Sequence, residues 1–310
     1  MSNTASRSPV KGPNITLVQF SSVPFNPQAN FDKAAEYVRA AAAVGSDLVV
    51  FPEYLLTGRP PTPGADVDEE GIWIAKFQDL ARTHSIDIVP GTIVERMALT
   101  DSVLKNTAYY IDRHGQILGR YQKVNLFPNE HGFFIPGARS QQQRVFATRW
   151  GLVGLLVSWD IMYPETCRML FNQAHELAGK GSMSRGYLHD PHRDELVMII
   201  CPSSWAVPPE YREREAKRID AVCLTRAFEN HVAVVFCNSA RTFTIDETHT
   251  GRSQVCLPAR GTIERAEADQ EEEIIVRELD LGALLEAEEM WRIREDLHKI
   301  TGSPFSTRRF

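Results

Sequence analysis

The chain has 310 residues, of which 43% are hydrophobic, 24% charged and 9% aromatic. This composition is that of a globular protein with a sizeable core, and it excludes a disordered chain, a collagen-like chain and a small disulfide-stapled protein. The 34 Lys and Arg against 40 Asp and Glu give a net charge of -6. No basic stripe with interleaved aromatic residues occurs, so nucleic acid is not expected as a partner.

The first part of the chain alternates short β-rich runs with helical patterns. Residues 15–20 and 47–51 predict strands. Between them, apolar residues at i, i+3 and i+4 spacing predict a helix, for which Asn30 is a candidate cap. A second helix is predicted at residues 73–83 and a third strand at residues 86–94. This order is typical of an α/β protein.

The rest of the chain adds hairpins to the same alternation of strands and helices. The predicted elements are, in chain order, a hairpin of residues 106–112 and 117–124, strands at 144–148 and 152–158, a helix at 164–177, a strand at 197–201, a helix at 210–229, a strand at 231–236, and a hairpin of residues 253–257 and 274–279 around an acidic turn. The two halves therefore resemble each other as β-α-β units that carry added hairpins.

Strands that are apolar on both faces, with helices between them, imply a layered α/β sandwich with mixed sheets. No Pro/Gly/Ser-rich linker divides the chain, so we expect one domain at residues 14–285. Residues 1–13 are interpreted as a flexible N-terminal tail, and the polar, Gly-rich residues 179–193 as an inserted surface loop. Residues 286–310 are expected to form a C-terminal helix and tail.

The longest apolar run, near residues 150–159, has about ten residues, whereas a membrane span needs roughly 20. The N-terminus carries no hydrophobic stretch after its basic residues, so neither a secretory signal nor a membrane partner is expected. The cysteines are odd in number and scattered without a CxxC pair, which argues against a disulfide framework and structural zinc. They are Cys167, Cys201, Cys223, Cys237 and Cys256. We expect a reducing, cytoplasmic location.

Polar residues follow several predicted strands at their carboxyl ends, where the functional groups of α/β sheets gather. They are Glu53, Lys123, Ser158 with Trp159 and Asp160, Ser203 with Ser204 and Trp205, and Asn238. Together these groups could form one polar cluster. Taken alone, each of them is better explained as a member of a surface ion pair or as a buried group with satisfied hydrogen bonds.

Five stretches of the chain resemble the sequence blocks of the nitrilase superfamily, the carbon–nitrogen hydrolases. They are FPEYLLTG at 51–58, GRYQKVNLFPNEHGFFIPG at 119–137, GLLVSWDIMYPETCR at 154–168, RAFENHVAVVFCNSA at 226–240 and GRSQVCLPARG at 251–261. The resemblance implies a four-layer αββα sandwich and a homodimer or higher homo-oligomer. Residues 291–300 and 308–310 are the candidate subunit contacts.

The resemblance also implies catalytic roles. Glu53 matches the general base, Lys123 the catalytic lysine and Glu130 the second glutamate, whereas the position of the cysteine nucleophile falls on Ser158. A thiol has a pKa of about 8.5 and a serine hydroxyl lies several units higher, so a Glu–Ser pair should be orders of magnitude slower. No GxSxG elbow surrounds Ser158. The family implies neither a cofactor nor a metal.

Three explanations of Ser158 stay open. It could be a deliberate replacement of the cysteine that leaves an inactive or very slow enzyme, and the intact sequence around it favours this explanation. It could also belong to a natural non-catalytic binding protein, or to a true serine enzyme. The expected activity is amidase-type cleavage of a non-peptide C–N bond through an acyl-enzyme, with a small amide as substrate. A nitrilase acting on a nitrile is the alternative.

Further residues are candidates for the substrate pocket, although a role in the core or at the rim explains Phe133 and Trp205 equally well and a role away from the substrate is favoured for His131. They are Trp159, His131, Phe133, Ser204 and Trp205. Three other features are interpreted as structural: a polar loop containing His189, Asp190, His192 and Asp194 rather than a metal site, Cys167 as a helix residue rather than a relocated nucleophile, and Asn106 as a turn residue.

Overall fold

The structure is a computed structural model that describes residues 11–58, 67–68, 71–96, 104–138, 144–184, 195–240, 247–266 and 272–301. Its strands are β1 (Lys11–Gln19), β2 (Leu48–Val50), β3 (Asp87–Val89), β4 (Thr92–Arg96), β5 (Leu104–Ile111), β6 (Ile117–Gln122), β7 (Val145–Thr148), β8 (Gly151–Leu155), β9 (Leu196–Ser203), β10 (Ala206–Val207), β11 (Ala233–Asn238), β12 (Thr248–His249), β13 (Gln254–Leu257), β14 (Gly261–Arg265) and β15 (Glu273–Asp280). Its helices are α1 (Pro27–Ala43), α2 (Ile72–His84), α3 (Pro164–Ser184), α4 (Arg212–Asn230), α5 (Gly282–Trp291) and α6 (Ile293–Thr301).

The strands form two large mixed sheets. In the described part of the chain, the first sheet has the order β15-β1-β2-β3-β5-β4, with β6 also paired to β5. The second sheet has the order β14-β13-β11-β9-β8-β7, and β10 pairs with β12 in a separate two-stranded sheet. Parallel pairs lie at the centre of both large sheets, where β1, β2 and β3 run together and β8, β9 and β11 run together.

Alternate residues of one strand enter different cores, because successive side chains of a strand point to opposite faces. Leu48 and Val50 of β2 belong to the core between the two sheets. Val49 lies in a second core with Ala34 of α1 and Phe77 of α2. The first sheet is therefore covered by helices on one face and by the second sheet on the other.

Helices α3 and α4 cover the outer face of the second sheet. Leu170 of α3 and Ile219 of α4 are buried in the same core as residues of β9 and β11. The molecule is thus a four-layer αββα sandwich, which confirms the predicted fold class.

The strand predicted at residues 86–94 is split into β3 and β4. Pro90 has no N–H to donate to a ladder, and Gly91 has a φ of 70°. A Cβ atom at Gly91 would lie 1.7 Å from the carbonyl oxygen of Pro52. The chain bends here because only glycine fits, and β4 pairs with β5 rather than continuing β3.

The last predicted hairpin is wrong, because its two strands do not pair with each other. Strand β13 turns back on β14, while β15 leaves the second sheet and pairs antiparallel with β1 in the first. The polar sequence of β14, half-buried or exposed along its length, concealed it from a prediction based on apolar residues. Only two residues of β15, Ile275 and Leu279, are buried.

Several predicted boundaries also shift. Helix α1 is capped by Asn26, whose side chain accepts from the N–H of Ala29, whereas Asn30 lies inside the helix and binds the backbone of Val23 and Leu56. Strand β1 begins at Lys11, within the predicted tail, because its ladder with β15 continues to Asp280. Residues 1–10 lie outside the described residues.

The predicted surface loop at residues 179–193 is helical over its first part, because α3 continues to Ser184. Gly179 and Gly181 each weaken a helix by only about 1 kcal/mol, and no proline interrupts this stretch. Residues 185–194 lie outside the described residues, and so do the four candidate metal ligands of this loop. The predicted C-terminal helix begins earlier than expected, at Gly282, and breaks at Arg292, which has a φ of 55°. Residues 302–310 are also not described.

Among the helices in the described ranges, none is both long and apolar enough to cross a membrane.

Candidate active site

The ends of strands from both large sheets meet at one cavity of about 690 Å³. Glu53 follows β2 and Lys123 follows β6 in the first sheet, while Ser158 follows β8 in the second. These three residues and Glu130 line the cavity. The fold therefore brings together the four residues that the sequence predicts to be catalytic.

Lys123 is a fully buried cation held between two carboxylates. Its Nζ atom lies 2.8 Å from Oε1 of Glu53 and 2.7 Å from Oε1 of Glu130. Burial by itself lowers the pKa of Lys123, but the two carboxylates outweigh it and hold that pKa above its ordinary value. The lysine is therefore a permanent positive charge in the cavity wall.

Glu53 is held by three donors. Besides Lys123, the Nδ2 atom of Asn106 donates to Oε1 at 2.8 Å, and the backbone N–H of Ser204 donates to Oε2 at 3.0 Å. Burial raises the pKa of the Glu53 carboxyl group above its ordinary value, and the charge of Lys123 opposes that rise without cancelling it. A carboxylate with a raised pKa in a fixed position is suited to proton transfer.

Glu130 is oriented by a short 3₁₀ turn, Pro128–Glu130. The backbone N–H of Phe127 donates to its Oε2 atom at 2.6 Å, and the hydroxyl of Tyr54 donates to its Oε1 atom. Burial raises the pKa of Tyr54 well above its ordinary value, so the phenol remains a donor. Glu130 consequently faces Lys123 with both of its oxygens engaged.

Ser158 occupies a strained backbone position at the end of β8. Its φ of 47° is in the left-handed region, which residues other than glycine adopt rarely. The Oγ atom of Ser203, the last residue of β9, donates to Oγ of Ser158 at 3.2 Å. The thiol of Cys201 lies 3.9 Å from the Ser158 carbonyl oxygen. The neighbouring strand thus contacts both the side chain and the backbone of Ser158.

Asp160 holds the turn that contains Ser158. Its buried carboxylate accepts from the backbone N–H of Val157 at 3.2 Å, from Tyr121 at 2.9 Å and from the backbone N–H of Asn125 at 2.7 Å. Burial raises the pKa of Asp160, and the hydrogen bonds from Asn125 and Tyr121 oppose the rise. Asp160 thereby connects the turn after β8 to the segment that follows Lys123.

Three aromatic rings form one side of the cavity. Trp159 lies between Phe127 and Trp205, with ring centroids 5.0 Å and 5.2 Å away respectively. All three side chains line the cavity. Their planes are inclined to one another, by 83° and 52°, so they form an angled apolar wall beside Ser158 that is suited to the apolar part of a small molecule.

The family model for carbon-nitrogen hydrolase matches residues 14–288. The chain belongs to the carbon–nitrogen hydrolase family. Its relatives place it in the nitrilase superfamily, as the sequence blocks predicted.

Among the similar proteins are a probable nitrilase of Schizosaccharomyces pombe and the 2-oxoglutaramate amidase of Bacillus subtilis. The first is 25% identical over 276 residues, which cover 86% of this chain and 89% of the relative. The second is 25% identical over 295 residues, which cover 92% and 97% respectively. The solved structure of an amidase from Nesterenkonia sp. has the same fold, with a TM-score of 0.69, 22% identity and coverage of 96% of this chain and 99% of that one.

The residues predicted to bind substrate in this carbon–nitrogen hydrolase divide into two groups. Trp159, Ser204 and Trp205 line the cavity, whereas His131 and Phe133 do not. The 3₁₀ turn directs Glu130 inward, so the next residue, His131, is exposed. Phe133 instead packs against the small apolar cluster that includes Leu104 and Phe134. The structure therefore places His131 and Phe133 outside the described cavity lining, and their contact with substrate stays a prediction.

Three groups in or next to the cavity were missed by the sequence analysis. Asn106 was interpreted as a turn residue, but it lies within β5 and binds Glu53. Ser203 was predicted to belong to the polar cluster, but no role was assigned to it. His249 was not considered. The Nε2 atom of His249 lies 3.0 Å from Oγ of Ser204. The β-pattern of residues 104–111 could have found Asn106, whereas no local signal pairs residue 249 with residue 204.

Within the described ranges, no group of three or more His, Cys, Asp or Glu side chains is arranged to hold a metal ion. The thiol of Cys167 is fully buried in α3 and does not line the cavity.

Proposed function

We propose that this carbon–nitrogen hydrolase cleaves the C–N bond of a small, non-peptide amide by acyl transfer to residue 158. The observation that supports this most directly is the buried Lys123, which lies between Glu53 and Glu130 in the cavity that Ser158 lines. The cavity therefore combines a base, a fixed positive charge and a nucleophile.

Glu53 is the proton carrier in the proposed reaction. It takes the proton of the residue-158 side chain as that side chain attacks the amide carbon, and returns it to the leaving nitrogen when the C–N bond breaks. The acyl-enzyme that remains is then attacked by water, whose proton passes to Glu53. When the bond to residue 158 breaks, that proton returns to the side chain. A raised pKa suits a group that must both accept and donate a proton.

Lys123 stabilises the negative charge that develops on the amide oxygen. Its ammonium group carries a full charge and is almost completely shielded from solvent by the protein, where such a charge is most effective. The backbone N–H of Trp159, next to residue 158, is the proposed second donor. Glu130, which accepts from both Lys123 and Tyr54, keeps the lysine in place.

We further propose that Ser158 stands where active relatives have cysteine and that the serine form is inactive or very slow. In a structure of the Nesterenkonia amidase, the acetamide moiety of fluoroacetamide is attached to an active-site cysteine. Glu53 must deprotonate a hydroxyl whose pKa lies several units above that of a thiol. A deliberate replacement of cysteine explains the otherwise intact site. Both amidases and nitrilases are among the relatives; we propose amides as the substrates, and nitriles are the alternative that the experiment includes.

A second candidate function is ligand binding without turnover. The Ser203 hydroxyl donates to Oγ of Ser158, so a lone pair of the proposed nucleophile is already engaged. A binding protein would use the same cavity, and Lys123 would hold a ligand oxygen instead of stabilising an intermediate.

The test compares the Ser158 protein with its Ser158→Cys and Ser158→Ala variants. Ammonia release is measured with small amides, ureas, carbamoyl amino acids and nitriles, and mass spectrometry detects the acyl-enzyme. We expect turnover and an acyl adduct on residue 158 in the Ser158→Cys variant only. A folded Ser158→Cys protein that neither turns over nor acylates would favour the binding function.

We also propose a reducing, cytoplasmic location and a homodimer. All five cysteines are buried free thiols, which supports a reducing compartment. The oligomeric state is taken up in the Discussion.

A further inference from the structure

His249 and Ser204 form a pair of polar side chains in the cavity that the proposed reaction does not use. The Nε2 atom of His249 lies 3.0 Å from Oγ of Ser204, and both residues line the cavity. The backbone N–H of the same Ser204 binds the carboxylate of Glu53. The pair therefore lies immediately beside the proposed general base.

The position of His249 is built into the fold. It belongs to β12, which pairs with β10 so that His249 is opposite Ala206. Asn238, at the end of β11, accepts from the N–H of Trp205 at 2.8 Å and donates to Thr250 at 2.9 Å. The N–H of Thr250 in turn donates to the Trp205 carbonyl oxygen at 3.0 Å. These bonds fix the segments on both sides of the pair.

The pair is electrically neutral. Burial lowers the pKa of His249 to about 4, so at pH 7 about one molecule in 10³ carries the imidazolium charge. A neutral imidazole with such a low pKa is a weak base, but it remains a good hydrogen-bonding group. Depending on the tautomer, the Ser204 hydroxyl either donates to Nε2 or is released to donate into the cavity.

The charges of the described cavity wall also favour an uncharged ligand. Lys123 is already paired with the carboxylates of Glu53 and Glu130, which lie in the same wall. A carboxylate on the substrate would face these acidic groups beside a histidine that is not charged. An uncharged polar group would meet donors and acceptors without that repulsion.

We propose that His249 and Ser204 recognise an uncharged hydrogen-bonding group of the substrate, such as a second amide, close to the bond that is cleaved. This inference rests on the proposed amide hydrolysis and names its substrate class: amides with a neutral polar substituent rather than a carboxylate. The aromatic wall of Phe127, Trp159 and Trp205 receives the remainder of the molecule.

Three amides of equal size and different polarity test the proposal: malonamide, the anionic malonamate and the apolar 3-methylbutanamide. Their binding to the Ser158 protein is measured by calorimetry at pH 7, with ammonia release monitored to verify that each remains intact. We expect malonamide to bind about tenfold more tightly than either of the others, as one or two additional hydrogen bonds predict.

Variants of His249 assign the effect to this pair. His249→Leu should weaken malonamide about tenfold and leave 3-methylbutanamide unchanged, while His249→Gln, which keeps a neutral hydrogen-bonding group, should retain most of the affinity. His131→Leu is the matched control, because His131 is exposed and outside the cavity wall. Thermal melting verifies that each variant is folded.

The proposal is overturned if malonamate binds most tightly, if His249→Leu weakens all three amides equally, or if none of them binds. Failure of the proposed function has a different signature. In that case the malonamide preference and its dependence on His249 persist, but Ser158→Cys releases no ammonia from any of the three compounds.

Discussion

The hydrogen bond from Asn106 to Glu53 opposes the rise in the Glu53 pKa that burial causes. Since proton transfer in the proposed reaction needs the ionised carboxylate, kcat/KM of the Ser158→Cys enzyme should fall as the pH drops through that pKa. The acid limb of the profile should lie above the ordinary value for glutamate, about 4.3.

Removal of the Asn106 side-chain amide should move this limb to higher pH. The Asn106→Leu variant loses a bond that stabilises the charged form, so its Glu53 must titrate at a higher pKa. The control is Thr107→Val on the same strand, because Thr107 binds Glu95 rather than Glu53. A limb that stays in place or moves to lower pH in Asn106→Leu would contradict the assignment of Glu53 as the base.

Lys123 also carries a prediction about stability. In Lys123→Met, Glu53 becomes a buried carboxylate without its cation, and we expect a loss of about 3–5 kcal/mol in the free energy of unfolding at pH 7. Loss of the cation raises the Glu53 pKa further, so the penalty belongs to the ionised form and shrinks as the pH falls and Glu53 is protonated. Urea denaturation at several pH values measures it.

The double variant Lys123→Met with Glu53→Gln is the control for that experiment. It removes the carboxylate together with the cation, so part of the lost stability should return and the pH dependence should weaken. A loss in Lys123→Met that is the same at pH 7 and pH 5 would show that the ion pair is not its cause.

Sequence reasoning at the residue scale succeeded where a functional group follows a strand. Glu53, Lys123 and Ser158 stand at such ends, and the fold brings them together. It did not predict that His131 lies outside the described cavity lining, since the direction of a side chain after a 3₁₀ turn depends on the local backbone. It missed His249, because its partner Ser204 is distant in the chain and meets it only through the pairing of β10 with β12.

The bend between β3 and β4 is the element on which Glu53 depends most directly. Gly91 approaches the carbonyl of Pro52, the residue before Glu53, so Gly91→Ala must displace the Glu53 backbone. We expect a loss of several kcal/mol of stability and of most activity in the Ser158→Cys enzyme. Urea denaturation and ammonia release measure the two effects.

Gly45→Ala separates the backbone strain from the steric clash. Gly45 has a φ of 80°, close to that of Gly91, but a Cβ atom there meets no atom within 4 Å. Its cost should be only about 1 kcal/mol, with activity unchanged. Equal losses in the two variants would mean that the contact with Pro52 has no importance for the site.

Elements with an apolar core pattern were predictable, and those without one were not. Helices α2 and α4 and strand β9 lie close to their predicted positions because their buried faces follow regular spacing. Strand β14 carries too few buried residues for such a pattern. The split of β3 from β4 follows from a contact between Gly91 and Pro52, which periodicity within one segment does not reveal.

For the whole molecule we expect a homodimer. Leu224 and Phe228 of α4 and Met290 and Trp291 of α5 are exposed apolar residues, and the rings of Phe228 and Trp291 lie 5.0 Å apart. Light scattering should give twice the chain mass of 34.9 kDa. The double variant Phe228→Glu with Trp291→Glu should be monomeric, because two charges would have to be buried in the interface.

Ile117→Glu is the matched control for the dimer. Ile117 is similarly exposed at the start of β6, away from α4 and α5. The Ile117→Glu variant should still scatter light with the mass of a dimer. A Ser158 protein that scatters as a monomer, or a charged double variant that remains dimeric, would contradict the assignment of this surface.

The layered architecture was predictable from the alternation of strands and helices, because strands that are apolar on both faces require a cover on each. The sheet that the last strand, β15, joins was not predictable in this way. The same apolar residues, Ile275 and Leu279, would suit either sheet. The choice is made by β1, whose free edge accepts β15 along nearly its whole length.

That pairing has a consequence for biosynthesis. Once the ribosome has passed position 249, all of the described residues that line the cavity have been polymerised, yet β1 lacks its neighbour β15 until residues 273–280 have been added. A nascent chain or a prematurely terminated product would thus expose an unpaired edge, a template for aggregation. The newly made protein would be protected from aggregation only when β15 has left the ribosome and paired with β1, and not already when the last residue of the proposed site has emerged.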